Sequence, residues 1–368
     1  MMVDHLGRSS AGRGLLFFGG YDPSYPRNAI IRKGWEKCGL PVAECRVDTR
    51  LKVHLRYPAL LWKYIRMRDS SRVLIVPDFR HKDVPLAWAI ARCTRRAIVF
   101  DPLVSRYETR VLDREDVRPG SAQERHNRNL DIVSMRLADL VLADTLAHAR
   151  FYSSEFSIPA LKIAVLPVGF DEDLFAEAPF PAAGAVCNVL FYGTYLPLHG
   201  VDTIVGAAAI LRDAPVAFTL VGRGQTYADV REKARDLPPG KVTFRDPVPS
   251  AELARLIGEA DIALGIFGTT PKARLVIPNK IFQALAVGRA VITAGTAAIA
   301  ELFTSGVHLE TVPPGDAGAL AGAISSLMRD RSAMRRVAAT GGSYVRAEFN
   351  SRRIAERLLA ILEGERFL

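Results

Sequence analysis

The feature that most limits how this chain can fold is a series of short, uniformly apolar runs separated by helical stretches. In the first half the runs fall at residues 15–19, 42–47, 73–77, 97–100, 140–143 and 163–167. Helical patterning fills 28–38, 84–92, 129–138 and 146–156. Strands that are apolar on both faces and alternate with helices predict a parallel sheet covered on both sides. Residues 171–184 interrupt the alternation, acidic at first and then rich in Pro, Ala and Gly, as a linker is. The pattern then restarts, with strands expected at 186–192, 217–221, 242–244, 262–264, 290–293 and 308–312. Helices are expected at 201–211, 227–234, 250–258, 280–287, 317–328, 332–345 and 351–362. This predicts an α/β chain of two Rossmann-like domains, 1–170 and 185–346, with the ligand in the cleft between them.

A length of 368 residues suits two domains, and 49% apolar with 24% charged residues is the balance of a soluble globular protein. No apolar run is long enough for a transmembrane helix. Residues 1–14 lack the apolar core of a secretory signal and read as a leader before the first strand. Cys38, Cys45, Cys93 and Cys187 are scattered without a C-x-x-C pair, which fits reduced thiols in a cytosolic protein. The seven histidines show no metal-ligand spacing and there is no D-x-D pair, so neither a metal nor a cofactor is expected. The net charge is +10, and all of the excess lies in residues 1–170, where 28 Lys and Arg face 18 Asp and Glu. Such asymmetry points to an anionic partner for that half. No nucleic-acid motif accompanies it, so an anionic membrane surface is the better match.

Several short segments carry chemistry. Residues 271–293 combine Lys272 and Arg274 with Pro278-Asn279-Lys280 opening a helix, then Gln283 one turn inside. A helix N-terminus with free N–H groups and flanking cations suits phosphate oxygens, and Gln283 is placed for a neighbouring ribose or sugar. An ordinary helix start with exposed lysines would read the same locally. Gly19-Gly20 follows the first strand, where a tight turn lets backbone approach a ligand. Gly193-Thr194 and His199 follow the first strand of the second domain, and Gly222 and Gly224 end its next strand. Each is also compatible with a plain turn. Asp101 ends a strand where α/β folds place ligands, or where a turn needs a cap. In residues 56–72, Leu60, Leu61, Tyr64, Ile65 and Met67 share one helical face, Lys63 and Arg66 lie on the other with Arg56 near them, and Trp62 lies at the margin. That is an interfacial pattern, or that of a surface helix packed on its own domain.

Taken in order, these segments resemble the GT-B glycosyltransferases, of the retaining family 4 type. Ala138-Asp139-Leu140-Val141-Leu142-Ala143-Asp144-Thr145, Val165-Leu166-Pro167-Val168-Gly169-Phe170-Asp171 and Leu174-Phe175 are similar to passages of that family's first domain. Gly193 with His199-Gly200-Val201-Asp202, Val221-Gly222-Arg223-Gly224, Ala260-Asp261-Ile262 and Phe282-Gln283-Ala284-Leu285-Ala286-Val287-Gly288-Arg289-Ala290-Val291 are similar to its second. The resemblance implies sugar transfer from a nucleotide sugar with retention and without a metal, to a glycan or lipid-linked acceptor held by the first domain. It also implies that the closing segment, 347–368, packs back on the first domain, and it fits a cytoplasmic enzyme at the inner membrane face. Leu275 and Gln283 stand where the family commonly has two glutamates, Thr194 and His199 where it has Arg and Lys, and Asp101 where it often has His. On this resemblance Asp101, Lys272 and Lys280 are the expected catalytic residues. Gly19, Gly20, Gly193, Thr194, His199, Gly222, Gly224, Arg274, Asn279 and Gln283 are the expected donor contacts. The departures leave room for an inactive glycosyltransferase-like subunit, and a sugar-nucleotide epimerase shares the fold.

Overall fold

The computed structural model describes residues 13–368, so the leader read from the sequence lies outside the described residues except for its last two. The chain forms two compact units. One holds the residues up to Val111, Glu115–Val168 and Ser351–Leu368; the other holds Leu112–Arg114 and Gly169–Asn350.

The first unit alternates β1 (Leu15–Gly19), α1 (Pro26–Lys37), β2 (Val42–Arg46), α2 (Val53–Arg66), β3 (Val73–Val76), α3 (Val84–Thr94), β4 (Ala97–Phe100), α4 (Ala122–Leu137), β5 (Leu140–Ala143), α5 (Leu146–Phe156) and β6 (Ile163–Val165). Its six strands are all parallel, in the order β2-β1-β3-β4-β5-β6. LLFFG, VLIV and LVLA are buried at every residue, because helices cover both faces of the sheet. The core beneath them includes Phe18, Val76, Phe100, Tyr152 and Phe156. The last helix of the chain, at Ser351–Gly364, also belongs to this unit. It crosses α1 at Gly34, where a Cβ would lie 1.9 Å from the Ser351 carbonyl oxygen, so only glycine allows the approach.

α4 starts seven residues before the sequence reading placed it. Ser121 accepts from Glu124 N at 3.1 Å and the Glu124 carboxylate accepts from Gly120 N, so a cap starts the helix within a polar run that has little apolar period. α2 likewise differs from the reading of 56–72. It begins at Val53 and ends at Arg66, with Met67 already extended. Arg56 is not on its charged face but buried, paired with Asp83 at 2.7 Å. Leu60 is buried beside it, whereas Leu61 and Ile65 are exposed together with Leu55 and Trp62. The apolar side chains of α2 therefore divide between the core and solvent.

The second unit runs β7 (Cys187–Tyr192), α6 (Val201–Ile210), β8 (Val216–Val221), α7 (Tyr227–Lys233), β9 (Val242–Arg245), α8 (Ser250–Glu259), β10 (Ile262–Leu264), α9 (Asn279–Ala286), β11 (Ala290–Ala294), α10 (Ala297–Leu302), β12 (Glu310–Val312), α11 (Ala317–Arg329) and α12 (Arg331–Glu348). The helix at Ser351–Gly364 follows as α13. α10 was not read from the sequence; it is a six-residue turn capped by Thr296, too short to show a period. The sheet is again parallel, in the order β12-β11-β10-β7-β8-β9, so the winding reverses between β7 and β10. Residues 171–184, read as a linker, form no helix or strand and cluster with this unit. The buried Arg289 guanidinium donates to the carbonyls of Ala178 at 2.6 Å and Pro179 at 2.8 Å, and Ala178 N donates to Val287 O at 3.2 Å.

Candidate functional site

In doubly wound sheets ligands bind beyond the carboxyl ends of the strands, where the winding reverses. In the second unit that place is the end of β7 and the loop after β10. Gly193 follows β7 with φ +146°, and a Cβ there would sit 3.0 Å from the Lys280 ammonium. Lys280 comes from the second position of α9, whose N-cap residue, Pro278, has no side chain able to accept a backbone N–H. Lys280 is only 6% exposed and its Nζ has no hydrogen-bond partner among the described residues. Its remaining favourable contact is with the Phe191 ring, 4.0 Å from the centroid. Burial holds its pKa well below the usual lysine range. The Tyr192 hydroxyl donates to the Lys280 carbonyl at 3.1 Å, fixing the start of α9 to the end of β7.

His199 lies beside the same ammonium, its Cε1 3.5 Å from the position of a Gly193 Cβ. The ring is half-buried and its Nδ1–H donates to the Thr194 carbonyl. Burial, then Lys280, then Lys272 push its pKa well down, so the ring is neutral and Nε2 is an acceptor. The short helical turn holding His199 packs on the turn at Lys272–Arg274 through Leu198, Ile266, Ala273 and Val276. Lys272 is buried in this arrangement, while Arg274 is exposed at the same turn. Gln283 lies one turn beyond Lys280 on α9 and is also buried. Asn279 is half-buried at the first position of α9, and Thr194 is exposed. Lys272, Lys280, His199, Gly193 and Gln283 therefore converge at one end of the second sheet.

Gly222 and Gly224 let the chain after β8 pack closely on the chain after β7. A Cβ on Gly222 would lie 2.0 Å from Gly193 O, and one on Gly224 would lie 2.6 Å from Tyr195 N and O. They let the two strand-end loops pack on each other, joined by Gly193 N to Val221 O and Tyr195 N to Arg223 O, both at 3.0 Å. Two cavities flank this junction. One of about 230 Å³ is lined by Tyr192, Gly193, Val221, Gly222, Pro247 and Val248. The other, of about 440 Å³, is lined by residues including Gly200, Thr226, Phe267, Gly268, Thr270 and Gly315. The sequence reading missed this second wall. Its trace was the glycine- and threonine-rich run Gly265-Ile266-Phe267-Gly268-Thr269-Thr270 directly after β10, similar in kind to Gly193-Thr194 after β7.

The expected residues of the first unit have internal partners. Asp101 is 1% exposed and both its oxygens are held by Arg27, Nε at 2.7 Å and Nη2 at 3.2 Å. Arg27 also donates to the carbonyls of Leu166 at 2.7 Å and Pro167 at 2.9 Å. Asp101 is thus a member of a buried ion pair that joins α1 to the end of β4. Gly19 and Gly20 make a close approach, but to Asp83 and Arg56. Gly20 N donates to Asp83 Oδ2 at 2.9 Å, and a Cβ on Gly20 would be 3.0 Å from Arg56 Nε. Nearby Asp78 carries a buried carboxyl whose Oδ1 has no partner, and burial followed by the charge of Asp101 raises its pKa to about 7. Among the described residues no group of three or more His, Cys, Asp or Glu side chains could hold a metal ion.

Residues 187–330 match the family model described as Glycosyl transferases group 1. The amylovoran biosynthesis glycosyltransferase AmsK of Erwinia amylovora is 27% identical over 214 residues, 56% of this chain and 51% of that protein. The phosphatidyl-myo-inositol mannosyltransferase of Mycolicibacterium smegmatis is 30% identical over 174 residues, 45% of this chain and 42% of that protein. The chain spans about half the length of the curated relatives it matches. Among solved structures, Anabaena Alr3699/HepE in complex with UDP and glucose aligns with a TM-score of 0.71 at 17% identity, covering 96% of this chain and 99% of that one, which establishes a shared fold. The fold and the group 1 match at residues 187–330 agree with the resemblance to GT-B glycosyltransferases read from the sequence.

Proposed function

We propose, from the group 1 glycosyl transferase domain that residues 187–330 form, that this protein moves a sugar from a nucleoside-diphosphate sugar to a glycan or lipid-linked acceptor, with retention at the anomeric carbon. The observation that carries the reading is the Lys280 ammonium, buried without a hydrogen-bond partner at the uncapped start of α9, where the winding of the second sheet reverses. A buried cation without a partner is costly, and a diphosphate would supply the missing acceptors. In this reading Lys280, Lys272 and the first N–H groups of α9 hold the diphosphate. They also neutralise the charge that develops on it as the glycosidic bond breaks. His199 adds a ring whose pKa rises when an anion arrives. Arg274, exposed at the same turn, and Thr194 meet the outer oxygens, and Gln283 reaches a hydroxyl of the donor through its amide. The cavity beside Gly222 and Val248 takes the base. Side-chain cations meet the diphosphate charge here, so the transfer needs no divalent ion, and a chelator leaves its rate unchanged.

The donor and acceptor classes rest on relatives. HepE is described with UDP and with UDP-glucose, so uridine sugars are the first donors to try. The names of the two curated relatives, which refer to amylovoran biosynthesis and to phosphatidyl-myo-inositol, suggest a glycan and a lipid as acceptor chemistries to try. The exposed side of α2 adds a membrane contact: Leu55, Leu61, Trp62 and Ile65 lie in solvent, Arg66 covers the Trp62 ring at 3.9 Å, and the helix has no acidic residue. An apolar strip with cations and without carboxylates suits an anionic bilayer, and in this reading the protein works at the inner membrane face. No described helix is long and apolar enough to cross a membrane. The deciding experiment is a thermal-shift panel with UDP, GDP, ADP and TDP sugars, followed by transfer assays with the sugar that stabilises most. If none raises the melting temperature, the donor site is wrong. Stabilisation without turnover under any acceptor would favour a non-catalytic subunit.

A further inference from the structure

The far side of the first unit carries a second concentration of positive charge. A cavity of about 610 Å³ is lined by Arg72, Arg92, Arg95, Arg96, Asp139 and Arg366, with Phe367 at its margin. Arg72 precedes β3, Arg95 and Arg96 precede β4, and Asp139 precedes β5. The cavity therefore sits at the amino ends of the strands, opposite the carboxyl ends where doubly wound sheets take their usual ligands. Five guanidinium groups face one carboxylate, and that carboxylate is already engaged: Asp139 Oδ1 accepts from Arg92 at 2.8 Å and Oδ2 from Ile98 N at 2.9 Å. Arg96 is held by Asp69 and lies over the Tyr64 ring of α2. Arg72, Arg95 and Arg366 have no side-chain hydrogen bond or ion pair among the described residues.

Backbone conformation gives an independent sign. Arg95, at the C-terminal cap of α3, has φ +56°, and Arg366 has φ +60°. Glycine or asparagine is the ordinary occupant of such positions, since a Cβ is strained there. Two of the five arginines thus occupy positions where glycine would relieve strain, so their side chains are kept at a conformational cost. Guanidinium groups in a shared concavity match the oxygens of phosphate in geometry and charge, and their mutual repulsion falls when an anion enters.

We propose that this arginine cavity is a second anion site, taking a multiply charged phosphate group, either of a free phosphate compound or of a lipid headgroup. It is independent of the glycosyltransferase reading, because no residue of it belongs to the second unit. The test uses the full chain with Lys280→Met, which removes the second unit's unpartnered buried ammonium, and adds Arg72→Glu with Arg95→Glu. Inorganic pyrophosphate at low salt, followed by calorimetry, is the first probe. Phosphatidylcholine vesicles containing phosphatidylglycerol, followed by co-sedimentation, are the second. Arg118→Glu with Arg125→Glu gives the same net charge elsewhere on the unit and serves as the control, and Arg72→Gln with Arg95→Gln replaces the reversal if that variant folds poorly. The expected result is at least a tenfold loss of binding to one probe in the cavity variant and not in the control. Loss with pyrophosphate assigns a free phosphate compound; loss with vesicles alone assigns a headgroup. Equal behaviour of cavity and control variants, or no binding of either probe once Lys280 is replaced, overturns the proposal.

Discussion

Replacing Lys280 by methionine should pull stability and ligand binding in opposite directions. Methionine keeps much of the side chain's length and apolar contact with Phe191 but removes an ammonium that has no hydrogen-bond partner. Leaving a buried polar group unsatisfied costs about 1–3 kcal/mol, and more for a charged one. The Lys280→Met protein without ligand should therefore be more stable by about 1–3 kcal/mol, offset in part by the lost cation–π contact of about 1 kcal/mol. For a unit of this size each kcal/mol raises the melting temperature by about 2–4 °C. Nucleotide binding should move the other way. A hydrogen bond to a charged group contributes about 1.5–3 kcal/mol, which is roughly a 10- to 150-fold rise in Kd for the nucleoside diphosphate. The pH dependence carries the same signature. The folded pKa of Lys280 is depressed by burial, so folding disfavours the charged form. Its destabilising effect is largest below the folded pKa and fades as pH rises towards 10.5, the unfolded value. The stability gap between wild type and Lys280→Met should accordingly narrow between neutral and alkaline pH. Thermal unfolding with and without UDP, and calorimetry for Kd, measure all three. A Lys280→Met protein that melts lower and binds UDP as well as wild type would mean that the lysine is a structural element, and the reasoning would fail.

Other outcomes follow from particular contacts. Asp101→Asn should act on stability rather than chemistry, because it leaves the buried Arg27 without its bidentate partner; a loss of about 3–5 kcal/mol in denaturant unfolding is expected, and normal stability with abolished turnover would restore a catalytic role. Gly222→Ala combines φ +133° with a Cβ 2.0 Å from Gly193 O, so the loops at the ends of β7 and β8 must separate. Donor stabilisation in a thermal-shift assay should vanish in that variant even if the rest of the protein folds. Asp78 is held protonated to about pH 7, so the stability it contributes is complete below 3.8 and is lost as pH rises through 7. Asp78→Asn should therefore gain stability relative to wild type at pH 8, by up to about 4 kcal/mol at 1.36 kcal/mol per pKa unit, and little at pH 4; the same difference at both values would contradict this.

The layered architecture was legible in the order of residues alone. Runs such as LLFFG, VLIV and LVLA have no polar face to offer solvent, and helices between them leave parallel sheets as the way to bury both sides. The sequence also located the cationic start of α9, because Pro278-Asn279-Lys280 is a local signal. It missed the first turns of α4, where a cap and not an apolar period starts the helix, and it set Arg56 in solvent although the residue turns inward to Asp83. Which charged residues are already satisfied depends on long-range packing. Asp101 and Lys280 are both charged residues beside an α/β strand end, yet Asp101 is closed off by an arginine 74 positions away in sequence, while Lys280 meets only rings and glycine. Pairing over such separations depends on how strands and helices pack, and no local pattern records it. The arginine cavity is a further case: its residues come from segments around 72, 95, 139 and 366, gathered only because the amino ends of three parallel strands and the last turn of the chain meet at one place.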